Sequence, residues 1–228
     1  MSISPPEKRN SFAVEYVAAH GAQTILGEQQ MKKENTPTIQ TERLILRKFA
    51  ERDAQALFEI LSDAEVNIFL PWFPVKNLDE AKAFLRKRFL AYYDKPSAYR
   101  YAICLKADDK PIGYACLSDN ESNDLGYGLR KEFWRQGIVT EAARAVVERI
   151  KNAGCTYITA THDVNNPRSG EVMKKLGMRY KYSYIEQWQP KDIQVTFRMY
   201  QLNFDGNDGR TYMEYWNMYE KHFVEENV

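Results

Sequence analysis

From Thr41 onward, the apolar positions of the chain fall into short runs that repeat every two residues or every three to four. Leu44 and Leu46, set among Arg43, Ile45 and Arg47, predict a first strand. Ala54, Leu57, Phe58 and Leu61 then predict a helix capped by Asp53. Residues 67–76 hold Phe69, Leu70, Pro71, Trp72, Phe73 and Pro74, and the two prolines forbid a regular helix or central strand, so an apolar loop is expected. Helical spacing returns over residues 79–93 through Ala81, Phe84, Leu85, Phe89 and Tyr92. Strands are predicted over residues 99–105 and 112–117, joined by the polar turn Asp108-Asp109-Lys110, with a third over residues 125–129.

A helix over residues 140–153 places Ala143, Val146, Val147 and Ile150 on one face and ends with Gly154 just past its last turn. A strand at 157–161, a short helix at 168–176 closed by Gly177, and a hairpin of strands 181–188 and 195–202 turned by Pro190-Lys191-Asp192 complete the pattern. The predicted order is β-α-α-β-β-β-α-β-α-β-β, an α/β fold of the α+β kind, with a mixed sheet and helices on both faces.

This core domain spans residues 38–205. Residues 1–37 mix a polar start, the short apolar stretch of Phe12, Val14 and Val17, and a charged, amide-rich run, and they read as an appended segment in which Met31 is an alternative start. After the Gly206-Asn207-Asp208-Gly209 break, Tyr212, Tyr215, Trp216, Tyr219 and Phe223 recur every three to four residues. Residues 206–228 therefore suit a helix packed on the core or on a partner, a homodimer being one such arrangement.

Composition narrows the class. With 44% hydrophobic and 13% aromatic residues the chain has the material for a packed core. Lys and Arg total 32 against 31 Asp and Glu, a net charge of +1, so no bulk field draws the protein to nucleic acid or an anionic membrane, and neither partner is expected. No apolar run approaches the roughly 20 residues of a membrane span, and the first ten residues lack the apolar stretch of a secretory signal. Cys104, Cys116 and Cys155 are odd in number and far apart, as expected of reduced core residues in a cytoplasmic protein. His20, His162 and His222 lack metal-ligand spacing, and no metal site is expected.

The chemistry concentrates between Leu125 and Ala142, where a strand enters a loop holding Arg135, Gln136 and Gly137 and the loop opens directly into an amphipathic helix. The first N–H groups of a helix lack internal partners and carry the positive end of its dipole, so a glycine there lets an anion reach the backbone. Lys131 stands where a dinucleotide-binding G-x-G-x-x-G would need glycine, and no Gly-Lys pair completes a P-loop.

These residues resemble the GNAT N-acetyltransferases, whose signature Q/R-x-x-G-x-G/A opens the helix that holds the acetyl-CoA pyrophosphate. The six positions here are Trp134-Arg135-Gln136-Gly137-Ile138-Val139; Gly137 matches, while Trp134 and Val139 depart. The longer run from Phe133 to Ala142 is similar to the Rim-type branch (RimJ and RimL), which acetylates ribosomal-protein N-termini. So are Asn166-Pro167-Arg168-Ser169 with Lys174-Lys175-Leu176-Gly177-Met178, and the opening Thr41-Glu42-Arg43-Leu44-Ile45-Leu46-Arg47. Together the motifs cover residues 41–178, and the hairpin extends the likeness to about residue 202.

The resemblance implies direct attack of a primary amine on the thioester of acetyl-CoA, with no metal. It implies a splayed strand whose backbone at Tyr127 and Leu129 pairs with pantetheine, an N–H near Leu129 for the oxyanion, and amides of Gln136, Gly137, Ile138, Val139 and Thr140 for pyrophosphate, with Arg135 adding charge. Asn166 would bind the coenzyme arm. The family's usual acid, a tyrosine seven residues past that asparagine, is replaced by Met173, and the Rim-type branch suggests Ser169 instead. Asp124 is the first candidate to accept the amine proton and Glu186 the second.

Simpler roles stand beside these. Asp124 also reads as a solvated acid in one polar loop with Asp119 and Glu121, Ser169 as a helix cap, and Glu141 as an acid suited to the helix dipole. Trp72 and Phe73 are either core plugs or substrate-pocket walls. The acceptor is open between a protein N-terminus and a small amine such as an amino acid, polyamine or aminocyclitol. The departures at Met173 and Val139 also admit a catalytically idle acyl-CoA-binding sensor or scaffold.

Overall fold

The computed structural model describes residues 34–95, 98–226 and 228. The readings of residues 1–33, Met31 among them, lie outside the described residues. The elements follow in chain order as β1 (Ile39–Gln40), β2 (Leu44–Arg47), α1 (Ala54–Leu61), α2 (Leu78–Arg88), β3 (Tyr99–Leu105), β4 (Pro111–Leu117), β5 (Leu125–Leu129) and α3 (Ile138–Asn152). They continue as β6 (Tyr157–Asp163), α4 (Pro167–Lys175), β7 (Arg179–Trp188), β8 (Ile193–Asn203), α5 (Glu214–Met218) and β9 (His222–Phe223). The predicted order is present, with the short β1 added in front and α5 and β9 behind.

Strands β1 to β5 form one antiparallel sheet in sequence order. Successive strand residues face opposite sides, and here both sides are covered. Leu44, Leu46, Tyr101 and Ile103 lie under α3, which buries Ala142, Ala143, Val146 and Ile150 against them. Ala102, Cys104, Tyr114 and Cys116 lie under α1 and α2. Double coverage explains why β3 and β4 are almost unbroken apolar runs. It also makes Cys104 and Cys116 inert core thiols, Cys116 being pushed up to about 11 by burial.

The expected single mixed sheet is instead two. Strands β6, β8, β7 and β9 form a second antiparallel sheet in that order, and it touches the first through one parallel bridge between Asp124 and Thr159. At the bridge the Thr159 N–H donates to the Asn123 carbonyl at 3.3 Å. Further along, the Leu129 carbonyl accepts from the Trp134 indole rather than from a β6 amide, and the two strands open into a cleft.

Two local expectations change. Asp53 stands at the start of α1 but makes no side-chain cap; its carboxylate accepts from the Ala50 N–H at 2.8 Å and pairs with Arg47 at 2.8 Å. The aromatic segment is helical only over the five residues of α5. Its rings lie across the second sheet, with Tyr219 stacked on Tyr184 at 4.7 Å and Trp216 edge-on to Tyr182 at 5.5 Å. Aromatic spacing here records packing onto a sheet face, not a long helix. Among the described residues no helix is long and apolar enough to cross a membrane.

Candidate active site

The diverging edges of β5 and β6 line a cleft. Its β5 wall presents unpaired backbone. The Arg130 N–H bonds to Ile112 and the Asp124 carbonyl accepts from Ser118, so the even-numbered residues of this stretch face β4. By antiparallel alternation the N–H groups of Tyr127 and Leu129 face the open side, while that of Leu125 lies at the bridge to Thr159. An extended ligand arm can pair there as an added strand would.

Beyond the end of β5, Gly137 starts α3 with φ +75 and no side-chain cap, and the first helical bond runs from the Glu141 N–H to the Gly137 carbonyl at 3.0 Å. The amides of Ile138, Val139 and Thr140 therefore lack intrahelical partners. A Cβ at Gly137 would meet only the Arg43 guanidinium, at 3.7 Å, so the approach is open. Arg135 has positive φ as well, so the backbone bends twice just ahead of the helix. The chemistry of this donor set fits a pyrophosphate.

Trp134, which departs from the family signature, anchors the loop through its indole N–H to Leu129 at 2.9 Å. Arg168 of α4 lies over the Trp134 ring at 5.9 Å and brings a second cation to the mouth. Arg130 and Lys131 are held by acids, Arg130 by Glu59 and Glu132 and Lys131 by Glu65.

Glu141 does more than suit a dipole. Its carboxylate accepts from the Thr41 hydroxyl, from the Arg43 N–H at 3.1 Å and from the Arg43 side chain at 2.7 Å, while Arg43 also donates to the Gln136 carbonyl at 3.0 Å. Burial alone would raise the Glu141 pKa, but these bonds outweigh it and hold the carboxyl below its usual range. The opening motif at Thr41 and Arg43 is thus a brace for the loop.

Asp124 sits at the vertex where the sheets meet, and it is 3% exposed. It is not the solvated acid its polar neighbours suggest. Thr159 donates to its carboxylate at 3.3 Å and Ser118 accepts from its N–H at 2.6 Å. Burial pushes its carboxyl up to about 7, against a smaller downward pull from Thr159. A carboxyl with that pKa exchanges protons near neutrality.

On the opposite wall, Asn166 and not Ser169 holds the N-cap position just before α4, and its side chain makes no capping bond. Ser169 lies one turn in, where its hydroxyl meets the Tyr127 phenol at 3.0 Å and its carbonyl accepts from that phenol at 2.9 Å. Gly170 permits this approach, since a Cβ there would come within 2.7 Å of the His162 ring. Desolvation drives the Tyr127 pKa far up, so the phenol keeps its proton. Met173 lines the same wall.

Leu129 and the loop residues Arg135 to Thr140 lie beyond the cleft lining, and Trp72, Phe73 and Glu186 stand apart from both the cleft and that loop. Trp72 packs on Phe84 and donates to Asn67 at 3.2 Å, while Phe73 is exposed. The apolar loop reaches the cleft through Phe69, Leu70 and Pro71 instead. Glu186 is buried on β7, where it hydrogen-bonds with the Tyr219 phenol. The sequence reading missed Tyr127 as a side chain, Trp188 and Phe197 as cleft walls, and the brace at Arg43.

Comparison with known proteins gives the family. The family model for the acetyltransferase (GNAT) domain matches residues 43–179. The uncharacterized N-acetyltransferase YnaD of Bacillus subtilis is 31% identical over 145 residues, 62% of this chain and 82% of that protein. A GNAT-family acetyltransferase structure from Bacillus anthracis superposes with a TM-score of 0.65 at 23% identity, covering 74% of this chain and 99% of that one. The ribosomal L7/L12 N-acetyltransferase RimL, solved with coenzyme A, superposes with a TM-score of 0.65 at 20% identity over 75% of this chain and all of that one. The chain belongs to the GNAT family of acetyl-CoA-dependent acetyltransferases.

Proposed function

We propose that the protein moves the acetyl group of acetyl-CoA directly onto a primary amine, with Asp124 accepting the amine proton and Ser169 returning one to the departing thiolate. The observation that carries this reading is a buried carboxyl with a pKa near 7 in the same cleft as a serine hydroxyl held by a phenol. The ordered motifs shared with the Rim-type branch support it.

In this reading the amides of Gln136, Gly137, Ile138, Val139 and Thr140 receive the pyrophosphate, with Arg135 beside them. Asn166 and the open edge at Tyr127 and Leu129 hold the pantetheine arm. Bound acetyl-CoA supplies an activated acyl carbon. Asp124 takes the proton from the amine, whose lone pair forms the C–N bond while the carbonyl electrons move to oxygen, opposite the Leu129 N–H. As the C–S bond breaks, the Ser169 hydroxyl, positioned by the Tyr127 phenol, protonates the thiolate and recovers a proton from solvent, to which Asp124 releases the one it took. Glu186, kept beside Tyr219, has no step in this scheme.

A panel of primary amines with thiol release as readout tests the reading. Amine-dependent release is the expected result. No release from any amine, while acetyl-CoA still raises the melting temperature, would leave an acyl-CoA-binding module.

A further inference from the structure

The far end of the cleft is walled by Phe69, Leu70 and Pro71 of the loop between α1 and α2, and by Trp188 and Phe197 of the second sheet. These two walls are fastened to each other. The Lys191 ammonium, at the tip of the β7–β8 hairpin, donates to the Asn67 carbonyl at 3.0 Å and the Ile68 carbonyl at 3.1 Å. The loop is braced from behind as well: the buried Asn67 amide donates to the Ile60 and Asp63 carbonyls at 3.0 and 2.7 Å and accepts from Trp72.

We infer that the amine acceptor is a compact molecule with an apolar body, admitted beneath this roof, and that an extended peptide N-terminus is disfavoured. The inference rests on the acetyl-transfer reading above and narrows it. Three observations converge on it. First, the walls of the cleft, Phe69, Leu70 and Pro71 on one side and Trp188 and Phe197 on the other, are apolar, and the thioester end of the cosubstrate must share the space between them. Second, a peptide extends by roughly 3.3 Å per residue, and the fastened loop and hairpin bound the far end of the cleft that its later residues would need. Third, the cleft offers little to a polycation, for its acids are Asp124 and Asp163, and the Asp163 carboxylate already accepts from the Asn165 N–H and side-chain amide at 2.8 and 3.0 Å. Apolar and aromatic walls then favour hydrocarbon on the body of the amine.

The test compares kcat/KM for 2-phenylethylamine, spermidine and a tetrapeptide with a free N-terminal alanine, using thiol release with the full chain. The wild type should favour 2-phenylethylamine by at least tenfold over each of the others. Lys191→Met, which removes the fastening charge, should shrink the ratio over the tetrapeptide at least fivefold, chiefly by raising the peptide rate. A wild-type preference for the tetrapeptide or for spermidine overturns the inference while leaving acetyl transfer intact. An unchanged ratio in Lys191→Met overturns the role of the roof. If none of the three is acetylated although acetyl-CoA raises the melting temperature, the parent reading fails and takes this one with it.

Discussion

Asp124 illustrates what one residue's neighbours in sequence conceal. Asp119 and Glu121 make its segment look solvated, yet Thr159, 35 positions away, closes over the carboxyl. That long-range contact leaves no local pattern. If Asp124 is the base it must be ionised, so kcat/KM should rise with pH through about 7. Asp124→Asn should remove this limb along with most of the activity. Stability should move the other way. Between the ordinary value of 3.8 and about 7 the folded state holds a proton that the unfolded state has released, so wild-type stability falls as pH rises across that window. The loss approaches about 4 kcal/mol at most, and melting curves at pH 5 and pH 8 should converge in Asp124→Asn. Ser169 yields a second prediction. Because it is not the α4 cap, Ser169→Ala should cost little stability and leave acetyl-CoA affinity within about twofold. It should lower kcat, and the defect should deepen as pH rises and solvent becomes a poorer acid. Normal turnover across pH 6–9 would return the protonation step to water.

Among the elements, α3 was the most legible, because a glycine before an amphipathic run is a local signal for an anion-binding helix start. Its first turn nevertheless begins at Ile138, two positions earlier than the apolar periodicity implies, since Gly137 itself adopts the left-handed conformation that opens the helix. The brace from Thr41 and Arg43 to Glu141 was not legible as a contact, for its partners are 98 to 100 residues apart. The start of β2 and the start of α3 therefore act as one unit around the proposed pyrophosphate loop. Gly137→Asp puts a carboxylate where that anion must meet bare backbone, and it should weaken acetyl-CoA binding at least tenfold by titration while Asp124→Asn changes it little. Glu141→Gln and Arg43→Ala should each weaken binding several-fold. Their combination should cost no more than the worse single change, because each already breaks the same brace. Additive losses would separate the two residues.

For the whole molecule, the order of elements was readable because strands and helices write different periods into the sequence. The break between the sheets was not. β5 and β6 each look like an ordinary strand, and nothing in either says that their pairing stops after Asp124 and Thr159. That interruption makes the cleft, and it leaves the two halves joined along β5 and β6 by a single bridge plus the packing of α3 and α4. A ligand lying along the open edge completes hydrogen bonding that the sheet leaves unfinished and binds only the folded state. At a hundredfold excess over Kd it should add about 2.7 kcal/mol, a rise in melting temperature of roughly 5–10 °C for a chain of this size. The site of the effect is predictable as well. The Tyr127 and Leu129 amides face the open side while those of Gly126 and Gly128 are bonded within the sheet. In hydrogen exchange, coenzyme A should therefore slow Tyr127, Leu129 and the first turn of α3, and leave Gly126 and Gly128 near their already slow rates. Uniform protection across β5 would mean global stabilisation without strand-like pairing, and the cleft would then have to hold the coenzyme by its phosphates alone.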